Sequence, residues 1–141
     1  MSFKFNPLTG QLDYFEEQTT PVIDAAKRLE DSRVCSEDIS ALKLVIAISD
    51  TNIILANKTD YINSKVLGIS LQAGVTGSTI DVLLFGKIED PFFSFPLNEP
   101  LFLDLNGTIT NVPPTIDFSV NIGHSLGVGA IFIDIKEQIQ L

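Results

Sequence analysis

Short runs of β-branched and large apolar residues, each closed by a turn signal, fill the chain from residue 41 to its end. Leu42–Ile48 and Ile53–Ala56 are two such runs, and the Ser-Asp-Thr-Asn stretch between them predicts a hairpin. Asn106-Gly107 is the strongest hairpin signal, because both residue types tolerate the positive φ that a tight turn needs. No helical pattern separates the runs, so a fold of alternating strands and helices is excluded. Residues 41–141 are therefore predicted to form an all-β domain, an antiparallel β-sandwich or a small barrel.

The other runs have the same character and lie at 66–71, 79–85, 92–95, 101–104, 108–110, 118–123 and 130–135. Alternation along them predicts that certain apolar side chains are mostly buried. These are Ile46, Val66, Ile69, Val82, Leu84, Phe102, Val120, Ile131 and Ile133. We expect imperfect alternation, because a strand at a subunit interface can be covered on both faces.

The first 20 residues have a different pattern. Large apolar side chains alternate irregularly with polar ones around an Asn-Pro-Leu-Thr-Gly turn, in which Pro7 fixes φ and Gly10 permits a positive φ. An isolated segment of this kind cannot bury its own surface, so residues 1–20 are predicted to be an extended docking arm. It would lie on an edge of its own sheet, on a neighbouring subunit or on another protein. The candidate docking residues are Phe3, Phe5, Pro7, Leu8, Gly10, Leu12, Tyr14 and Phe15.

Residues 21–40 are predicted to connect the arm to the β domain. Within them Pro21–Glu30 is the one candidate helix, because Thr20 can cap it and a proline suits the first helical position. The Val-Ile pair at its start would also suit a strand. We expect at most one short helix in the chain.

Charge and composition exclude several functions. The formal charge is −9, with 18 acidic against 9 basic residues, and the basic residues form no stripe, which argues against nucleic-acid binding. No apolar run approaches the length of a membrane span, and no basic segment followed by an apolar one opens the chain, so we expect neither membrane insertion nor a signal peptide. Hydrophobic residues make up 45% of the chain. A small domain has limited room to bury them, so we expect a homo-oligomer.

No set of residues indicates a reaction, a cofactor or a metal. His124 is the only histidine, and Ser125 beside it would point to the opposite face of a strand, so the two cannot be a base and its nucleophile. The glycine-rich stretch 123–129 lacks the Lys-Ser/Thr pair and the helix of a phosphate loop, and tight turns explain it better. The single cysteine, Cys35, is expected to be a small buried residue. The chain is predicted not to be an enzyme.

Two further sets of residues, one acidic and one aromatic, allow both a functional and a structural explanation. The acidic pairs Glu37-Asp38 and Glu89-Asp90, together with Asp104–Gly107, offer oxygens to Ca²⁺ but lack the spacing of an EF-hand loop, so solvated acidic loops explain them better. The phenylalanines at 92, 93 and 95 suggest a platform for stacking a ligand. Packing in the core or at a subunit interface explains these rings better.

Three stretches resemble small structural proteins of tailed-bacteriophage virions. Phe5–Asp13 (Phe-Asn-Pro-Leu-Thr-Gly-Gln-Leu-Asp) resembles the opening motif of phage tail-fibre and other virion proteins. Lys65–Leu71 with Gly86 resembles the middle of phage head-decoration and fibre domains. Leu101–Asp104 and the turn and strand residues that follow, as far as Ile133–Ile135, resemble their C-terminal half. The order and spacing of these motifs carry the resemblance, which covers most of the chain.

The resemblance implies a virion structural protein with no catalytic residues, assembled as a homo-oligomer, usually a trimer, on a capsid or a tail. The short chain favours a capsid decoration (cement) protein that binds the major capsid protein and stabilises the capsid. A tail-fibre or adaptor protein used in host attachment is the first alternative. A carbohydrate-binding β-sandwich module is the second, although the chain has no Trp and only two Tyr residues. The implied location is the capsid or tail surface, after synthesis in the cytoplasm of a bacterial host.

Overall fold

The computed structural model describes residues 28–141. The docking arm and most of the candidate helix at Pro21–Glu30 lie outside the described residues. The last two residues of that stretch, Leu29 and Glu30, belong to a strand.

Strands and turns make up the described part of the chain, which confirms the all-β prediction. A single turn of 3-10 helix lies at Leu105–Gly107. Within residues 28–141, no helix has the length and apolar character needed to cross a membrane. The strands are β1 (Leu29–Cys35), β2 (Leu44–Ala47), β3 (Asn52–Leu55), β4 (Gly68–Ser70), β5 (Thr79–Glu89), β6 (Pro100–Leu103), β7 (Ile109–Thr110), β8 (Phe118–Ser119), β9 (Asn121–Ser125), β10 (Ala130–Asp134) and β11 (Ile139–Gln140).

The long strand β5 joins a small barrel to an open sheet. Nine strands form one sheet in the order β1-β3-β2-β4-β5-β10-β9-β6-β7, and β1 also pairs with β5. This extra pairing closes β1, β3, β2, β4 and β5 into a ring. Beyond the ring, the second half of β5 pairs with β10, from Phe85 opposite Asp134 to Glu89 opposite Ala130. The strands β8 and β11 form a separate two-stranded sheet.

Both predicted hairpins are present. Strands β2 and β3 pair antiparallel, and so do β6 and β7 around Asn106-Gly107. The two turn residues have φ angles of 54° and 73°. The Gly107 N–H donates to the Ala56 carbonyl at 2.7 Å, and a Cβ at Gly107 would lie 2.6 Å from the Leu44 carbonyl oxygen. The loop is therefore pressed against β2, and at this position only glycine fits.

Two apolar cores lie on opposite sides of the strands that the barrel and the sheet share. The barrel core contains Cys35, Ile39, Val45, Ile53, Ile80 and Val82, and the buried Cys35 is as predicted. The second core packs the outside of β2, β4 and β5 against β6, β9 and β10. It contains Leu44, Ile46, Ala56, Ile69, Leu83, Ile88, Phe93, Leu101, Leu103, Val120, Ile122, Ile131 and Ile133. Successive residues of β2 thus enter different cores, and neither face of this strand is polar.

Most of the side chains expected to be buried are buried, namely Ile46, Ile69, Val82, Val120, Ile131 and Ile133. Val66, Leu84 and Phe102 are only partly buried. The prediction that Phe102 is the inward-facing side chain of β6 was wrong, because Leu101 and Leu103 point into the core. The side chain between them must therefore face outward.

The prediction of a strand at 92–95 was also wrong, because this segment is a turn. The Asp90 carboxylate accepts the Phe92 N–H at 2.8 Å, and the Asp90 carbonyl accepts the Phe93 N–H at 3.1 Å. The turn places Phe93 fully inside the second core, whereas Phe92 is 67% exposed. Prolines 91 and 96 flank the turn and have no N–H to donate to a strand partner.

Strand β1 was not among the predicted strands. It lies inside the range 21–40, so the sheet begins before residue 41. Its pairing with β3 is parallel, in contrast to the antiparallel arrangement expected. Its sequence Leu-Glu-Asp-Ser-Arg-Val-Cys has no apolar alternation. Backbone pairing with β5 on one side and β3 on the other holds this strand in the sheet.

Polar cross-strand contacts reinforce β1 at Asp81 of β5. The Asp81 carboxylate accepts hydrogen bonds from Gln72 Nε2 at 3.0 Å and from Ser32 Oγ at 3.0 Å. The bond from Gln72, followed by that from Ser32, lowers the pKa of Asp81 from its ordinary value. The ionised carboxylate thus joins β1, β5 and the loop after β4.

Replacing Ile133 by Ala is expected to lower the free energy of unfolding by about 2–5 kcal/mol, because the side chain is fully buried in the second core. The matched control is Val128→Ala, at a side chain that is 84% exposed, and it should change stability by less than about 0.5 kcal/mol. Urea unfolding of both variants measures the difference. Equal stabilities of the two variants would contradict the assignment of the second core.

The variant Asp81→Asn is expected to be less stable than the wild type at neutral pH. The pKa of Asp81 is lowered in the folded state, so its stabilisation is full above the ordinary value of 3.8 and is lost as the pH falls below it. The difference in melting temperature between variant and wild type should therefore shrink on acidification. Asp50→Asn, in an exposed loop, is the control. A difference that is the same at pH 7 and pH 3 would show that the charge of Asp81 is not the cause.

Candidate functional site

The predicted docking residues, Phe3, Phe5, Pro7, Leu8, Gly10, Leu12, Tyr14 and Phe15, lie outside the described residues, and their contacts stay a prediction. The described chain begins at Arg28, immediately before β1. The Arg28 side chain donates from Nη1 to the Lys87 carbonyl at 3.3 Å. The described part of the chain therefore begins beside the second half of β5.

His124 and Ser125 lie on opposite faces of β9, as predicted for neighbours on a strand. His124 is exposed, and Ser125 is fully buried. The Ser125 hydroxyl donates to the Phe95 carbonyl at 3.0 Å and accepts the Gly127 N–H at 3.0 Å. These bonds fasten the glycine-rich turn to the segment before β6, which gives Ser125 a structural role.

Three of the acidic side chains considered as calcium ligands are hydrogen-bonded to the backbone. Glu37 Oε2 accepts the Leu55 N–H at 2.8 Å, and Asp38 Oδ1 accepts the Thr76 N–H at 2.9 Å. Asp90 holds the turn at 92–95 in the same way. Among residues 28–141, no three or more His, Cys, Asp or Glu side chains are grouped so as to hold a metal ion.

Aromatic side chains lie on the outward face of β5, β10 and β9, where Phe85 and His124 are exposed and Phe132 is half-buried. The rings of Phe85 and Phe132 meet edge to face, with centroids 5.2 Å apart and planes at 86°. His124 stacks on Phe132 at 5.7 Å. Leu29 pairs with Phe85 and is 56% exposed, which extends the row onto β1. We call Leu29, Phe85, Phe132 and His124 the aromatic face.

The position of these rings follows from the cores beneath them. Ile131 and Ile133 point into the second core, so Phe132 between them must point outward. Gly123 allows β9 to approach β10 closely, because a Cβ there would lie 1.8 Å from the Phe132 carbonyl oxygen. The aromatic face was not predicted from the sequence. The alternation Ile-Phe-Ile-Asp in β10 was the available signal.

Charged residues occupy the positions between the rings. Lys87 lies opposite Phe132 in the β5–β10 register, and Asp134 lies opposite Phe85. The β5–β10 pair therefore presents two rings on one diagonal and a base and an acid on the other. Lys87 forms an ion pair with Glu89 at 2.9 Å, and Asp134 forms one with Lys136 at 2.7 Å.

A second exposed apolar surface lies around β8 and β11. The Tyr61 ring is 5.9 Å from Phe118 of β8, and the Tyr61 carbonyl accepts from Gln138 Nε2 at 3.0 Å. These contacts bring the 60–63 loop next to the C-terminal segment. More than half of the surface is exposed on five side chains here, which we call the C-terminal patch: Tyr61, Ile62, Ile116, Ile139 and Leu141.

The rings of the aromatic face and the C-terminal patch lend no support to the carbohydrate-binding alternative. Sugar binding by stacking needs ring faces that are open to the ligand. Phe132 is stacked against His124 on one side, and the Nζ of Lys65 lies 4.5 Å above the centre of the Tyr61 ring. Phe85 presents its ring at a right angle to Phe132 and forms no flat platform with it.

The sequence matches no protein-family model and no curated protein sequence. Among solved structures, the chain is similar to the head fiber gp8.5 N base in bacteriophage phi29, at 10% sequence identity and a TM-score of 0.47. The similarity covers 81% of this chain and 98% of that chain. A likeness of this extent establishes neither a family nor a function.

Proposed function

We propose that the chain is a structural protein of a tailed-bacteriophage virion, and more specifically a capsid decoration protein. In this role, copies of the chain associate with one another and bind the major capsid protein through the N-terminal arm. The motifs at 5–13, 65–71 and 101–135 support the virion assignment by their resemblance to proteins of this class. The protein holds its partners together and catalyses no reaction.

The observation that carries the proposal is apolar surface left exposed on a body whose cores are already filled. The aromatic face and the C-terminal patch expose large side chains on two separate parts of the described chain. Exposed apolar side chains that lie next to one another in a patch are typical of surfaces that contact other proteins. Polar side chains that a reaction would need, such as Ser125 and Asp90, are hydrogen-bonded to the backbone.

The arm is proposed as the anchor to the particle. Phe3, Phe5 and Phe15 would each contribute about 1.5–3 kcal/mol on burial, before the cost of ordering the arm is subtracted. The alternative of a tail-fibre or adaptor protein uses the same arm on a tail protein, and the two differ in the partner that the arm binds.

Deletion of residues 2–15 is expected to abolish binding to particles assembled without this chain, while the melting temperature and oligomeric state of the body stay unchanged. Co-sedimentation with the particles measures binding, and electron microscopy of labelled protein distinguishes capsid from tail. A matched pair of triple variants refines the test. Alanine at Phe3, Phe5 and Phe15 should abolish binding, whereas alanine at Ser2, Gln11 and Thr19 should not. Wild-type occupancy by the deleted chain would show that the arm is not the anchor.

The isolated protein is expected to form a homo-oligomer at micromolar concentration, with a trimer as the state that the resemblance implies. The exposed apolar surfaces supply the driving force for association. Sedimentation velocity or light scattering gives the mass. A stable monomer at these concentrations would remove self-association from the proposal.

A further inference from the structure

The region of β5 and β10 around Phe85 and Phe132 carries one basic and one acidic side chain, Lys87 and Asp134. Lys87 and Asp134 sit on either side of the two rings, and their side chains are 54% and 43% exposed. Their ion pairs with Glu89 and Lys136 lie at the surface. Such pairs contribute little to stability, so these charges are available to a second protein.

We propose that the aromatic face is the surface through which copies of this chain associate, with Lys87 of one copy against Asp134 of the next. The inference rests on the self-association proposed above and assigns it to named residues. The occupant is a second copy because the face is complementary to itself. A partner surface whose charges all have one sign would leave either Lys87 or Asp134 facing a like charge.

The geometry of the β5–β10 pair supports this complementarity. When two such faces meet about an axis parallel to the Phe85–Phe132 diagonal, ring lies against ring and Lys87 of each copy comes to the Asp134 of the other. The register that sets Lys87 opposite Phe132 and Asp134 opposite Phe85 places the four side chains as this arrangement requires. A closed cyclic oligomer in which Lys87 of each copy faces Asp134 of the next copy satisfies the same pairing of charges. The contact thus fixes the chemistry of association, and the measured mass gives the number of copies.

Charge reversal at the two positions tests the inference. Lys87→Asp and Asp134→Lys should each weaken association by about tenfold or more, because each places like charges across the contact. The double variant, in which both charges are exchanged, should restore association toward that of the wild type. Sedimentation velocity over a concentration series measures the association constant, and the melting temperature of each variant verifies that the body is folded.

General repulsion between acidic copies predicts a different result. The chain carries a net charge of −9, so Asp134→Lys lowers its net negative charge and would strengthen association if repulsion alone mattered. Only the specific pairing predicts that both single variants are weaker than the wild type. Asp50→Lys, which makes the same change of charge in the exposed loop between β2 and β3, is the matched control and should not weaken association.

The outcomes separate this inference from the proposed function. Oligomers that resist both reversals, or a double variant that stays dissociated, would overturn the aromatic face as the contact and leave a virion oligomer in place. Reversals that impair particle binding without changing the mass would assign the face to the capsid or tail partner, and would also overturn it. A wild-type chain that is monomeric would instead contradict the proposed self-association itself.

Discussion

The fold depends on one strand that has to satisfy two architectures at once. Over its 11 residues β5 pairs with β1 and β4 in the barrel and with β10 in the open sheet. Its neighbouring residues Val82 and Leu83 enter different cores. The barrel and the sheet therefore share a backbone and cannot shift register independently, because a slip of one residue would exchange the contents of both cores. Close approach reinforces this, since a Cβ at Gly68 of β4 would lie 2.3 Å from the Leu83 carbonyl oxygen.

Because the shared strands are buried on both faces, the apolar composition of the chain is weaker evidence for an oligomer. A hydrophobic content of 45% is more than a domain with one core readily buries, and taken alone it favours an oligomer. The two cores accommodate much of this content within the chain, so composition by itself is a weaker argument than it first looks. The argument for association now rests on where apolar side chains remain exposed. Two such places are the aromatic face and the C-terminal patch.

Features fixed by local chemistry could be predicted from the sequence, and features fixed by distant pairing could not. The hairpins at β2–β3 and β6–β7 follow from turn residues such as Asn106-Gly107, and the all-β class follows from the spacing of the apolar runs. Strand β1 is polar and owes its place to partners about 50 residues away in sequence, which no local pattern encodes. The rings at 85 and 132 were missed for a related reason. Their outward direction is determined only when it is known that the isoleucines of β10 point inward.

The point at which the described chain begins connects the two proposals. Arg28 is hydrogen-bonded to the Lys87 carbonyl, and the Lys87 side chain belongs to the contact proposed between copies. Association through the aromatic face would thus bring Arg28 of neighbouring copies close together, and each arm is tethered to its body through this residue. Two or more arms held at a short distance act at a high effective concentration, so that an anchor of modest affinity becomes a strong one without any new contact. Self-association and anchoring are then coupled, because loss of the contact between copies weakens attachment to the particle even when every arm is intact.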